Sequence, residues 1–250
     1  MKRTVAFFLL SAILLIAPIP AISASESPEA AIYQVSTMTE LKQGRYEGGP
    51  TYAELKRHGD FGIGTLAGLD GEMIALDGRF FQIKTDGLAY SIGDAATAPF
   101  ATVTFFKDAD KLPRTEVKDM RELASALDRM VPDGRRIYAF MVRGDFPLIK
   151  VRSVPKQTKP FPTLEAALKN QVVFELKNVR GTMVGFRFPA FMEGVNAVGY
   201  HFHFITDDRS RGGHVLDCAA AADDVKAMPV SDFRMKLLNG PNGGRADPGR

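Results

Sequence analysis

Three Asp-Gly pairs stand close together between residues 61 and 92: Asp70-Gly71, Asp77-Gly78 and Asp86-Gly87. Asp-Gly supplies the positive φ angles of tight hairpins, and the runs between the pairs are β-prone, so the chain here must double back as a meander of short strands. Alternating apolar residues predict further strands at Ile32–Met38, Ala101–Phe106, Arg136–Val142, Pro147–Val154, Val172–Leu176, Gly181–Phe188, Ala197–Thr206 and His214–Cys218. Arg143-Gly144-Asp145-Phe146 is expected to be a turn. Helices are few. Thr51-Tyr-Ala-Glu54 is a capping box for a helix over Tyr52–Arg57, with Gly59 just beyond. Met120, Leu123, Leu127 and Met130 recur at helical spacing within Val117–Met130, and Thr163 caps a helix to about Gln171. The expected fold class is α+β, with antiparallel or mixed sheets, a few short helices and two lobes joined near residues 156–162. Gly62-Ile-Gly64 is no dinucleotide fingerprint, because it lacks the third glycine and the long helix that follows.

The ends of the chain read differently. Lys2 and Arg3 precede an apolar run from Val5 to Ile16, then Pro18, Pro20 and small residues at Ala21, Ser23 and Ala24. This is the layout of a signal peptide over residues 1–23, and the run is short for a membrane span. The expectation is an exported protein, periplasmic or secreted, with a mobile leader over residues 24–31. Loss of Lys2 and Arg3 takes the net charge from +3 to +1, which argues against nucleic acid or an anionic membrane as partner. Cys218 is the sole cysteine, so no internal disulfide forms and the fold must rest on its core, for which 18 Phe provide material. Cys218 itself reads as a core residue.

Four histidines occur, and three fall in one short stretch, Gly199-Tyr-His-Phe-His-Phe-Ile-Thr-Asp-Asp-Arg-Ser-Arg-Gly-Gly-His214. In a strand His201 and His203 share one face, while Phe202 and Phe204 take the other. The polar stretch from Thr206 to Gly213 can reverse the chain, so a β-hairpin sets His214 beside the first two. Three imidazoles with room for a further ligand form a catalytic zinc arrangement, and neutral ring nitrogens are the donors zinc takes at about 2.0–2.1 Å. The plain alternative is a set of solvated or core histidines. His58 ends a helix before a glycine and reads as a capping group.

Longer motifs frame this cluster: Ile32-Tyr-Gln-Val-Ser-Thr-Met, His58-Gly-Asp-Phe-Gly-Ile-Gly-Thr65, Leu69-Asp-Gly-Glu72, Ser153-Val-Pro, Val179-Arg-Gly-Thr-Met-Val-Gly-Phe186, Gly199-Tyr-His-Phe-His-Phe and Gly212-Gly-His-Val-Leu-Asp217. In this order they resemble the alpha-acetolactate decarboxylase family, which converts 2-acetolactate to acetoin and CO2. The resemblance spans residues 32–217 and leaves 218–250 as a divergent tail. It implies an α+β fold, often dimeric, with one zinc or other divalent metal on His201, His203 and His214. It also implies site roles for Glu72, Arg152 and Thr65.

These residue types suit the reaction. Decarboxylation leaves an electron pair, and a metal acting as Lewis acid on the keto and hydroxyl oxygens stabilises the enediolate. Arg152 would grip the departing carboxylate, and Glu72 would deliver the proton. Without the resemblance, Glu72 reads as a turn residue, Arg152 as an outer-face charge and Thr65 as a β filler. The family also returns a glutamate from its C-terminal tail to the site, whereas the last glutamate here is Glu193, leaving Asp232 or Asp247 as substitutes. That departure keeps a second expectation open, an exported non-catalytic or repurposed binding protein of the same fold. A zinc hydrolase is a third, with no further motif in its favour.

Overall fold

The computed structural model describes residues 30–238. In chain order, β1 (Ala31–Val35) leads to α1 (Met38–Lys42) and α2 (Tyr52–Leu55). The meander follows as β2 (Phe61–Thr65), β3 (Glu72–Leu76), β4 (Arg79–Ile83) and β5 (Ala89–Ser91). Then come β6 (Phe100–Thr104), β7 (Asp110–Leu112), β8 (Thr115–Val117), α3 (Met120–Met130), β9 (Ile137–Ser153) and α4 (Leu164–Leu168). The chain continues through β10 (Val172–Phe188), β11 (Gly199–Thr206), β12 (Gly212–Val230) and β13 (Asp232–Lys236). The readings of a signal peptide over residues 1–23 and of a glycine-rich end over residues 240–250, Asp247 included, lie outside the described residues. So does the leader, apart from Ala30 and Ala31, and Ala31 already pairs with Asp232.

Turn and cap chemistry acts where the sequence places it. Asp77 and Gly78 both take positive φ (54° and 72°), which closes β3 onto β4 with Leu76 opposite Arg79. Thr51 caps α2 by accepting from the Glu54 amide at 3.3 Å. Asp119 caps α3 by accepting from the Glu122 amide at 2.7 Å, and Glu122 reaches back to accept from the Lys118 amide at 2.9 Å.

Two sheets result. The seven-stranded sheet runs β13-β1-β6-β2-β3-β4-β5 and is mixed, because β13 lies parallel to β1 while β6 lies antiparallel to it. The second sheet runs β11-β10-β9-β12-β7, and β11 also pairs with β12, which closes β9, β10, β11 and β12 into a ring. Phe140, Phe146, Ile149, Phe202 and Phe204 pack within that ring. A second core lies between the sheets, where Phe61, Ile63 and Ile74 of the first meet Val184, Phe186 and Ile205 of the second. The fold class is therefore α+β with mixed and antiparallel sheets.

Several boundaries move for physical reasons. Residues 143–146 are not a turn but the middle of β9. Arg143 and Asp145 point outward while Val142, Gly144 and Phe146 point inward. Gly144 is there for close approach, since a Cβ would stand 2.3 Å from the Ala221 carbonyl oxygen. The strands expected at Val172–Leu176 and Gly181–Phe188 are two halves of β10, which runs on in one register with β9 through Asn178 at φ 52°. The stretch 156–162 joins β9 to α4, and β9 and β10 on either side of it are neighbours in one sheet, so it is no junction between lobes. The boundary expected at residue 217 falls inside β12. Its alternation is hidden by register shifts at Val215/Asp217, Ala219/Ala221 and Ala222/Asp224.

Candidate active site

Strand alternation sets the three histidines. Phe202 and Phe204 of β11 face the ring interior, which turns His201 and His203 toward the seven-stranded sheet. β12 brings His214 directly opposite His203 on one side and opposite Arg152 of β9 on the other. The hairpin anticipated from the sequence is thus formed. His201 Nε2 lies 3.1 Å from His214 Nδ1, and that same Nδ1 lies 3.3 Å from His203 Nε2. One ring nitrogen from each residue falls within 4.8 Å of the others. His203, only 1% exposed, donates Nδ1–H to the Met73 carbonyl at 2.8 Å, which leaves its Nε2 as a bare lone pair.

Burial, with the Arg152 charge nearby, pushes His201 down to about 4 and holds His203 and His214 well below the ordinary histidine value. Neutral imidazoles whose ring nitrogens converge are the donor set a divalent metal needs, so the residues fit the group the sequence implied. A pH dependence follows from the depressed values. In the metal-free protein the unfolded chain takes up protons on these histidines below about 6.5 while the folded chain does not. Their stabilising contribution is present above that value and is lost as pH falls toward 4. Thermal unfolding of chelator-treated protein should show a melting temperature that drops over that interval, and a flat profile there would contradict neutral, converging histidines.

Glu72 opens β3 and comes from the opposite sheet. Its Oε2 is 3.4 Å from His203 Nε2, and its Oε1 accepts from Arg152 Nη1. Both side chains of this ion pair are largely buried. Burial pushes the Glu72 carboxyl above the usual range, and the Arg152 charge opposes the rise. Among the described residues the Arg152 side chain hydrogen-bonds only to Glu72, so the rest of its planar fork stays available for a second carboxylate. Buried Thr65 donates its hydroxyl to the Gly71 carbonyl at 2.7 Å and so fixes the turn that presents Glu72. The six residues expected at a site line one cavity of about 390 Å³, whose remaining wall is mainly apolar, with Met38, Leu41, Leu69, Phe100 and Val154 among it.

Other candidates fall away. Asp232 lies in β13, paired with Arg234 at 3.1 Å on the edge of the seven-stranded sheet, and it does not line the cavity. Glu193 lies in the bend that bridges to Asn196. His58 stacks on Tyr33 at 3.8 Å between ring centroids and takes no part in the triad. Buried Cys218 has its thiol pushed up to about 12 by desolvation, which suits a core residue and not a nucleophile. Sequence reasoning missed the Met73 carbonyl, which has no side-chain signature, and Tyr200, whose neighbour His201 drew the attention. It also missed the wall from α1 and α4, which only tertiary packing brings to the cavity.

A convergent histidine triad beside a largely buried ion pair, in a cavity whose other walls are mainly apolar, is the arrangement of a small-molecule site. Comparison with known proteins gives the family. A family model described as alpha-acetolactate decarboxylase matches residues 32–242. The alpha-acetolactate decarboxylase of Methanosarcina mazei is 49% identical over 214 residues, covering 85% of this chain and 74% of the relative. That of Methylococcus capsulatus is 46% identical over 206 residues, covering 82% and 79%. The crystal structure of acetolactate decarboxylase from Bacillus subtilis subspecies spizizenii matches with a TM-score of 0.81 at 37% identity, over 84% of this chain and 91% of that one. The chain belongs to the alpha-acetolactate decarboxylase family and is an enzyme of that kind. The family match runs past residue 217 through the rest of β12 and β13.

Proposed function

We propose that this chain decarboxylates 2-acetolactate to acetoin and CO2 with one divalent metal, zinc, held by His201, His203 and His214. The observation that carries the reading is the meeting of the neutral histidine triad with the Glu72–Arg152 pair in one cavity. When bound, the metal supplies a Lewis acid toward the substrate's keto and hydroxyl oxygens. Arg152 binds the substrate carboxylate through the free part of its guanidinium and orients the bond to be broken. The carbon–carbon bond to the carboxylate breaks, CO2 leaves, and its electron pair stays on the remaining four-carbon fragment as an enediolate. One proton then returns to the carbon that carried the carboxylate, and acetoin forms.

Glu72 is placed to give that proton. A carboxyl raised by burial holds its proton closer to neutral pH than a solvated one does, and the oxygen facing His203 lies beside the reacting centre. Thr65 keeps Glu72 in place through the Gly71 carbonyl. The apolar wall excludes water and receives the substrate's methyl groups. Export remains part of the proposal, supported by the charge, apolar run and small residues of positions 1–24, and so does action as a homodimer, on the family resemblance. The test of the activity is to incubate purified protein with racemic acetolactate and follow acetoin and CO2 together. Equal amounts of both are expected. CO2 without acetoin, or neither product, would overturn the reading.

A further inference from the structure

The two strands that carry the histidines part company beside the triad. β11 and β12 pair only from Ile205–Gly212 to His203–His214. Beyond that, β11 stays with β10 as far as Gly199 and β12 follows β9, so a gap opens at the cavity. β12 carries one extra residue at the gap. Val215 faces Val151, but Asp217 faces Lys150, which makes Leu216 a bulge. A bulge bends its strand and re-aims a side chain. Leu216 is accordingly 38% exposed and yet lines the cavity.

The residue after the bulge uses its side chain to dock a helix in the gap. Asp217 Oδ1 accepts from the Met120 amide at 2.9 Å and from the Cys218 amide at 2.9 Å. That holds the first residue of α3 at the opening, and Met120 lines the cavity there. At the other end of α3, Asp128 accepts from the Tyr200 hydroxyl at 2.9 Å and pairs with Arg187 at 2.9 Å. The helix is therefore held to both strands that border the gap, one contact to β12 and the others to β11 and β10.

The polar wall takes up the substrate's oxygens, so its alkyl groups must face the apolar wall. Part of that wall is packed core, with Phe100 and Val154 both 2% exposed, and cannot yield. Met120 and Leu216 are different, since both are partly open to solvent and both sit at the gap between β11 and β12. We propose that Met120 and Leu216 are the specificity-determining residues that set how long an alkyl group the pocket admits, with Asp217 as the residue that positions them. This rests on the decarboxylase reading above.

The test compares kcat/KM for acetolactate with that for two sets of its homologues, the C2 methyl lengthened stepwise to butyl in one and the acyl methyl lengthened likewise in the other. One methylene in an apolar pocket is worth about 10–200-fold in discrimination. Met120→Ala and Leu216→Ala should raise the homologue-to-acetolactate ratio at least about tenfold in one set, and Met120→Phe should lower it. Leu216 is exposed enough that its replacement should leave folding intact, so a misfolded Met120 variant does not spare the proposal. Asp217→Ala should shift the same ratio and Asp217→Asn, which keeps an acceptor oxygen, should restore it. If wild type and every variant share one ratio while acetolactate is still consumed, the proposal is overturned. If wild type consumes neither acetolactate nor any homologue, the decarboxylase reading itself has failed and this assignment falls with it.

Discussion

Replacing His203 by alanine is expected to abolish metal binding and to cut acetoin formation by about 10³-fold or more. A Lewis acid at the reacting oxygens contributes several kcal/mol, and each 1.4 kcal/mol is a factor of ten in rate. His203 is the histidine to remove because its Nδ1 is already committed to the Met73 carbonyl, so it presents a single, fixed donor to the triad. The substitution also leaves that carbonyl without its partner, at a cost of about 1–3 kcal/mol in stability. Metal content by elemental analysis after zinc loading and dialysis separates the two effects, and circular dichroism confirms the fold. Wild type should hold about one zinc per chain, as a single three-histidine site does, and the variant almost none. Equal zinc in both would show that the triad is not the metal site.

The ion pair gives the second large effect. Arg152→Lys keeps a cation beside Glu72 but removes the planar fork, so it should lower kcat/KM about a hundredfold, with zinc retained, if the fork orients the carboxylate. Glu72→Gln keeps size and hydrogen bonding but cannot give up a proton as a carboxyl does, so kcat should fall about 10²–10⁴-fold, again with zinc retained. The acetoin formed by the Glu72 variant should also be of lower enantiomeric purity, because solvent protonates without choosing a face. Near-normal turnover in both variants would place these roles on other residues. Thermal unfolding of each variant, measured alongside, reads the cost of disturbing a buried pair separately from the loss of rate.

The parts of this site that were legible in the sequence are those fixed by local periodicity. His201 and His203 stand two apart in a strand, so alternation places them on one face, and the polar stretch after Thr206 returns the chain to bring His214 beside them. Glu72 and Arg152 are 80 positions apart in sequence and meet only because two sheets pack together. No local pattern marks such a pair, and it was accessible through family resemblance alone. Strand lengths were misread where one residue carries two meanings. Gly144 looks like a turn glycine and is in fact the point where β9 and β12 backbones touch, and Asn178, at positive φ, lies within β10 without ending it. The alanine-rich stretch after Cys218 hides a strand because small side chains blur its alternation and register shifts break it.

The tail is where this chain departs from its resemblance. No glutamate follows Glu193, and Asp232 stands away from the cavity on the edge of the other sheet. In the proposed reading Glu72, its carboxyl raised by burial, gives the proton, Arg152 holds the substrate carboxylate and the three histidines hold the metal.

The most direct measurement is a titration of metal-free protein with zinc while acetoin formation from racemic acetolactate is followed at neutral pH. No acetoin above background is expected without metal, then a rise in rate proportional to added zinc and a plateau near one equivalent per chain. Full activity in the metal-free protein, or no acetoin at any zinc level from protein shown to bind the metal, would contradict that expectation.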